Sequence, residues 1–498
     1  MIKKIWSLSA ICLFTVITVF ATDGYNIKVK LDNYDKDTLL LGYHYGDKQY
    51  IKDTVVLNDQ GTFIFKGTEE LDAGVYLMVM LPDKQYFQVL IDKGDQHFSM
   101  TTDATAPTAK MKVEGSKDNS LFYDYMDFLA LQRPKADAIK KELEGAEGAK
   151  KEKLTKDLTA VNEGVVAYQK NLVSTHASTL SAAFVKSFME NPMPEFKGTE
   201  RAVQLKRYHY YKAHYFDNIN LADERLVRSP FLFQRIDYYM NKLTPQDPDS
   251  ISASIDYILA KAKPAEETFK YYLVHFLNTY AQSKIVGMDA VYVHIVEKYY
   301  STGLAPWTEE EQLKKIVDNA TTLKPILIGK IAPDINMYEI DLEGTIQAKD
   351  DENEYKRWRA KRQIALHEVA SPYTVLFVWD PDCGHCKKSM PQMLEFYEEY
   401  KDKGVEVFAV CTKIYDDMPS CAETIKEQGM IKWLNVVDPF IKSKYKQIYD
   451  IKSTPQIFIL DEKKEIISKR IGAEQLSEVM GKIIEFKAKE KAAAGDMK

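Results

Sequence analysis

The stretch VWDPDCGHCKKSMP, Val378–Pro391, holds two cysteines with two residues between them, one a histidine. Four chemistries use such a pair. A structural zinc site needs four ligands, usually from a second closely spaced pair. The other cysteines nearby, Cys411 and Cys421, are ten apart, and Cys411 closes a predicted strand, so no metal is expected. Covalent haem attachment needs histidine directly after the second cysteine, and Lys387 stands there. A purely structural crosslink between residues three apart closes a small strained ring, and strained bonds are the labile ones. A reactive dithiol survives.

The flanking residues supply what a reactive dithiol needs. YTVLFVW is a continuous apolar run of strand length, as in strands buried on both faces. It ends at Trp379, a three-residue loop follows, and Cys383 falls at the start of a helix predicted to run to about Tyr400. Unpaired N–H groups and the helix dipole favour negative charge at that point, which stabilises a Cys383 thiolate. A protonated His385 acts in the same direction, and both effects lower the thiol pKa and stabilise the reduced pair. Asp380 and Asp382 oppose them, because carboxylates beside a thiolate raise its pKa.

Length and composition bound the rest. A chain of 498 residues is too long for one ordinary domain and suggests about two to four. Its 45% hydrophobic and 28% charged residues suit globular modules, and a net charge of −6 gives no electrostatic case for nucleic acid. Residues 1–21 read as a signal peptide: Lys3 and Lys4, the apolar run Leu8–Phe20, then a small-residue cleavage site at Ala21. Cys12 follows Ile11, where a lipoprotein site would want Gly or Ala, so it belongs to the apolar run. Export to an oxidising, periplasmic compartment is expected, free or docked on a membrane. The other four cysteines, Cys383, Cys386, Cys411 and Cys421, lie within 39 residues, which is local chemistry and no disulfide scaffold.

The periodicity divides the remainder into an all-β N-terminal domain, an α-helical middle domain and an α/β C-terminal domain. Over 22–117, NIKVKL, DTLLLGYHY, GTFIFKG, GVYLMVML and YFQVLIDKGD alternate or run apolar between turns such as NDQG and DKGD. That predicts a sandwich or barrel of about seven strands. Over 118–325 apolar residues recur at three and four. A Lys/Glu-rich pair of antiparallel helices breaks near Gly145 and Gly148, and Pro264 reads as a first-turn proline. Within it, RYHYYKAHYFDN sets His209 and His214 five apart, which is not a metal pair on one helical face. Its tyrosines fit an aromatic peptide-binding patch or, more simply, rings buried with wet hydroxyls. Over 326–490 strands and helices alternate, predicting a mainly parallel central sheet. INMYEIDLEGT reads as an entry hairpin, KDDENEYKRWRAKRQ as a solvated insertion, and 491–498 as a tail. His367, before the buried strand, reads as a surface histidine.

Residues 328–488 carry a family resemblance. Cys383-Gly384-His385-Cys386 resembles the active-site motif of the thioredoxin superfamily, with the Gly-His pair of protein disulfide isomerases. Pro391 matches the helix-kinking proline, and Thr454-Pro455, before the predicted strand QIFIL, the cis-proline. GKIAPDINMYEIDLEGT is similar to the entry of exported reductases of the cytochrome-maturation type, and the whole layout to exported thioredoxin-like proteins of Bacteroidetes. The resemblance implies a thioredoxin fold without a cofactor. Cys383 would attack and Cys386 resolve, with Gly384, His385 and Pro391 tuning them and Trp379, Thr454 and Pro455 meeting the partner. Phe377 stands where thioredoxins hold a buried acid, and Ser389 where cytochrome-maturation reductases hold a glutamate. Asp380, Lys387 or a water is left as the proton acceptor.

The function expected is an exported thiol–disulfide oxidoreductase, reductase or isomerase, acting on protein thiols and disulfides with a separate electron donor or acceptor. The other readings are a partner-binding scaffold with a secondary redox site, and a thiol peroxidase, though peroxidases need threonine where Asp380 stands. Cys411 and Cys421 are either a second redox pair or small buried hydrophobes. The leader domains would select the partner or form a homodimer.

Overall fold

The computed structural model describes residues 24–82, 84–347 and 360–495. The signal-peptide reading, most of the charged insertion and the end of the tail lie outside the described residues. Among the described residues no helix is long and apolar enough to cross a membrane. The chain forms two compact units. One takes the residues up to Leu243 with Ile258–Tyr271, and the other takes Thr244–Tyr257 with Tyr272 onward.

In the first unit eight strands make two four-stranded sheets. They are β1 (Tyr25–Asp32), β2 (Thr38–Tyr45), β3 (Lys48–Val56), β4 (Phe63–Gly67), β5 (Gly74–Met80), β6 (Gln85–Ile91), β7 (His97–Asp103) and β8 (Lys112–Glu114). The orders are β4-β1-β7-β8 and β3-β2-β5-β6. Alternate residues of β1 and β4, Ile27, Val29, Phe63 and Phe65, are fully buried, as the period of two requires. The five strand-like runs are all strands. The polar KQYIKDTVV of β3 escaped that reading because it is an exposed edge strand with no buried residue.

Helices α1 (Lys117–Leu143) and α2 (Gly148–Thr175) flank a four-residue turn where the Gly145/Gly148 break was expected. Gly148 takes a left-handed φ of +53°, which glycine adopts without penalty. Ser116 caps α1, and the buried Asn119 in its first turn bonds both the N–H and the C=O of Leu90 on β6. Then come α3 (Leu180–Ser187), α4 (Glu200–Ala213) and α5 (Pro230–Lys242), the last begun by a Ser229 cap with proline behind it.

Helices α6 (Pro248–Ala262) and α7 (Glu266–Ala281) each have residues in both units. Helices α8 (Asp289–Ile295), which continues as a π-turn over Val296–Tyr300, and α9 (Glu310–Leu323) belong with the C-terminal sheet. Pro264 lies in the turn before α7 and outside its first turn.

The second unit contains β9 (Asn336–Ile340), α10 (Leu342–Gln347), β10 (Ala360–Ala365), β11 (Tyr373–Trp379), α11 (Gly384–Tyr400) and β12 (Val405–Cys411). It continues with α12 (Met418–Gln428), β13 (Leu434–Val437), α13 (Tyr445–Ile448), β14 (Gln456–Asp461), β15 (Ile466–Lys469) and α14 (Leu476–Gly495). Its seven strands run β10-β9-β13-β12-β11-β14-β15. Only β11–β12 and β12–β13 pair in parallel, so the expected mainly parallel sheet is a mixed one. The reason is that β9–β10 and β14–β15 enter as antiparallel pairs at the two edges. The entry hairpin therefore closes on β10, which uses residues read as insertion, while LEGTIQ is helical.

Lys469 on β15 is buried, with its ammonium ion-paired to Asp289 of α8 and donating to the Ile326 carbonyl at 2.6 Å. A largely enclosed carboxylate stripped of its partner is costly. Lys469→Met is expected to destabilise this unit by about 3 kcal/mol. Trp307, Trp379 and Trp433 all lie in it, so the urea midpoint of tryptophan fluorescence reads the loss. An unchanged midpoint would show the pair to be neutral.

Candidate active site

Strand β11 sits between β12 and β14, its residues after Tyr373 all buried, and delivers the chain to one end of the sheet at Trp379. The loop Asp380–Asp382 turns it: Asp380 accepts the Asp382 N–H on its carboxylate at 2.8 Å and the Cys383 N–H on its carbonyl at 3.2 Å. Cys383 is then the N-cap of α11, with φ −81° and ψ 114°. Its sulfur accepts the Cys386 N–H at 3.3 Å. As a thiol it donates to the Thr454 carbonyl, also at 3.3 Å. Thr454 is there because β14 pairs antiparallel with β11, Gln456 opposite Val378, and the cis Thr454–Pro455 bond immediately precedes it.

The two sulfurs have opposite surroundings. Cys383 is half-buried, and Cys386 is wholly enclosed among Trp379, Met390, Met393, Phe396 and Ile457. Burial pulls the Cys383 thiol upward, but hydrogen bonding with Cys386 and Thr454 and from the N–H groups of Cys386 and His385 outweighs it. The thiol ends below its ordinary value. Burial, and then the hydrogen bond with Cys383, push the Cys386 thiol up to about 12. One thiol is thus poised to ionise and the other to stay protonated until its neighbour reacts.

The opposition expected from Asp380 and Asp382 is neutralised. Lys413 pairs with both, at 3.2 and 2.6 Å, and the Thr412 hydroxyl donates to Asp380 at 2.5 Å. Burial draws the Asp380 carboxyl up, but those contacts hold it below its usual range. Its carboxylate is fully engaged, which leaves it poorly placed as a proton acceptor. Thr412 and Lys413 carry no motif. Their signal is register: Trp379 lies opposite Cys411 in the parallel pair, so the residues after each strand meet.

Residues 328–469 match the AhpC/TSA family, while 25–122 and 144–323 match families described as domains of unknown function, DUF4369 and DUF5106. Over 154 residues the chain is 27% identical to thiol-disulfide oxidoreductase ResA of Bacillus cereus, covering 31% of this chain and 75% of that protein. Over 108 residues it is 31% identical to sporulation thiol-disulfide oxidoreductase A of Bacillus subtilis, covering 21% and 64%. Residues 328–469 are thus a thioredoxin-like domain of the AhpC/TSA kind, and the relatives that match it are thiol–disulfide oxidoreductases. Among solved structures, a domain of a possible thiol-disulfide isomerase from Cytophaga hutchinsonii is 30% identical, with a TM-score of 0.27 over 33% of this chain and 97% of that one. A thioredoxin-like protein from Bacteroides caccae is 18% identical, with a TM-score of 0.42 over 59% and 98%.

In this oxidoreductase the other expected site residues fall in several places. Gly384 and His385 are exposed in the first turn of α11, and a side chain at Gly384 would meet nothing. Pro391 lies within α11, where it removes one helical hydrogen bond. The Trp379 ring is fully buried, so its expected role as a partner contact gives way to one as packing beneath the dithiol. Phe377 is also buried, its ring 6.0 Å from Trp433, which makes the floor of the site apolar. Ser389 donates to the His385 carbonyl at 3.0 Å. Lys387 is exposed.

Cys411 and Cys421, both buried, form a disulfide from the end of β12 to α12. They are too far apart in sequence for a motif, but they meet because α12 begins seven residues after β12 ends. His367 bonds the Ala332 carbonyl at 2.7 Å, and His214 pairs with Asp217 at 2.6 Å.

Proposed function

We propose that the protein is an exported, periplasmic enzyme that exchanges its Cys383/Cys386 pair with disulfides of partner proteins, as reductase or isomerase. The observation that carries this is the split between the two thiols, one half-exposed and acidified at a helix N-terminus, the other enclosed and held protonated. The Cys383 thiolate attacks one sulfur of a partner disulfide; that S–S bond breaks and one partner thiolate leaves. Cys386 loses its proton to solvent and attacks the Cys383 sulfur. The mixed disulfide breaks, the second partner thiolate leaves, and two electrons have passed from the dithiol to the partner. In reverse the same steps oxidise a partner.

The Thr454 backbone, beside Cys383, pairs with the partner's backbone, a small instance of strand addition. A peroxidase reading is disfavoured, because Asp380, where that chemistry wants a hydroxyl, is an acceptor already held by Thr412 and Lys413.

The deciding experiment is the redox equilibrium of residues 22–498 across glutathione buffers. A midpoint near about −270 mV or lower makes it a reductase that needs a dedicated electron supply. One between roughly −200 and −120 mV makes it an isomerase or oxidase. A pair that never cycles removes the reading.

A further inference from the structure

The N-terminal unit carries a second feature that faces solvent. Four large aromatic side chains are exposed in one region: Tyr86 at 55%, Phe188 at 45%, Tyr211 at 42% and Tyr238 at 45%. They line a groove of about 520 Å³ together with Arg235 and Gln234. Its walls are built. Tyr215 packs against Tyr211 at 5.6 Å and stacks on Tyr238 at 6.0 Å, while Phe188 packs against Phe231 at 5.5 Å. Contiguous exposed aromatic surface on a folded unit marks an interaction site.

Two further observations say what fits. The Arg235 guanidinium lies 5.9 Å from the Tyr215 ring and donates to the Ser187 carbonyl at 3.3 Å. Among the described residues it has no carboxylate within ion-pair distance. Glu190 lines the small adjoining cavity that Arg235 also borders, without pairing with it. The groove itself has one cation and no acid among its lining residues. The second observation is the backbone of β6, the edge strand of its sheet. Leu90 bonds Asn119 through both its N–H and its C=O, and the Gln88 carbonyl accepts from Tyr123, so these residues turn their polar groups away from β5. With a period of two, Tyr86 does the same, and no side chain among the described residues meets its N–H or C=O.

We infer that this groove binds an extended peptide segment bearing a carboxylate, laid along Tyr86, its acid on Arg235 and its flanking side chains against the tyrosines. Aromatic faces and an arginine with no carboxylate partner give the affinity and the charge preference, and the N–H and C=O of Tyr86 take the peptide backbone. The site lies outside the redox pair, so it supplies selection of acidic clients, not chemistry.

The test uses the full chain and two blocked peptides, acetyl-Thr-Tyr-Glu-Tyr-Thr amide and its twin with Gln for Glu, by calorimetric titration. The acidic peptide is expected to bind at least five-fold more tightly than its twin. R235Q is expected to abolish that difference while leaving binding of the neutral peptide unchanged, and Y238A to weaken both. K150Q, on the exposed face of α2, serves as the charge control. Reduction of a small-molecule disulfide reads the dithiol separately and is expected to be unchanged in all three. Equal binding of the two peptides, binding of neither, or a preference that survives R235Q would overturn the inference. So would a dimer in sedimentation that Y238A dissociates, because a second copy would then be the occupant.

Discussion

Cys383→Ser is expected to lower disulfide exchange by about three orders of magnitude or more, to the uncatalysed level, since an alcohol does not ionise near neutrality. Cys386→Ser is expected to give the opposite phenotype: attack continues, resolution fails, and a mixed disulfide on Cys383 accumulates with any protein disulfide supplied. The asymmetry follows from burial. Cys386 is wholly enclosed and pushed up to about 12, so in the reduced enzyme it offers almost no thiolate at neutral pH. Cys383 is half-buried and acidified. At pH 7 iodoacetamide should therefore label Cys383 alone. Its rate should rise with pH up to a plateau that begins below the ordinary thiol range, because deprotonation creates the nucleophile and a lowered pKa brings it earlier. Mass spectrometry of the alkylated and trapped species reads both outcomes. Equal labelling of the two thiols would remove the assignment of roles.

That assignment was legible before the fold was known, because each part of it is local. An apolar run, a short loop and a CxxC at a helix start are consecutive in sequence, and helix N-terminal electrostatics act within one turn. What was not legible depends on pairing across the sheet. Nothing near Lys413 marks it as a partner of Asp380 and Asp382; only the register that sets Trp379 opposite Cys411 does. The Cys411–Cys421 bond has the same origin, a strand end meeting the next helix. Trp379 was misjudged for a related reason. A tryptophan beside a dithiol reads as a contact residue, but the inward face of β11 takes its ring into the core. Helices α6 and α7 keep core-facing periodicity along lengths whose residues fall in both units. Periodicity reports that a face is buried, not against what.

The pairing that the sequence did not disclose also sets the second large effect. Lys413→Met leaves Asp380 and Asp382 without their cation, a few residues from Cys383. Two uncompensated carboxylates disfavour a neighbouring thiolate. The Cys383 pKa should then rise, which slows alkylation near neutral pH by about ten-fold and moves the plateau to higher pH. The rate at the plateau, where Cys383 is fully ionised, should be close to that of the wild type, and that separates an electrostatic role from damage to the fold. A destabilised thiolate also disfavours the reduced pair, so the midpoint in glutathione buffers should move to more negative potential. Lys413→Arg should restore most of both. The Cys411→Ser, Cys421→Ser double variant provides an independent route to the same residues, because the disulfide fixes the end of β12 immediately before Thr412 and Lys413. If Lys413 acts through its position, loss of that bond should shift the alkylation profile in the same direction and by less. A Lys413→Met profile that overlays the wild type would show that helix N-terminal hydrogen bonding alone sets the Cys383 pKa.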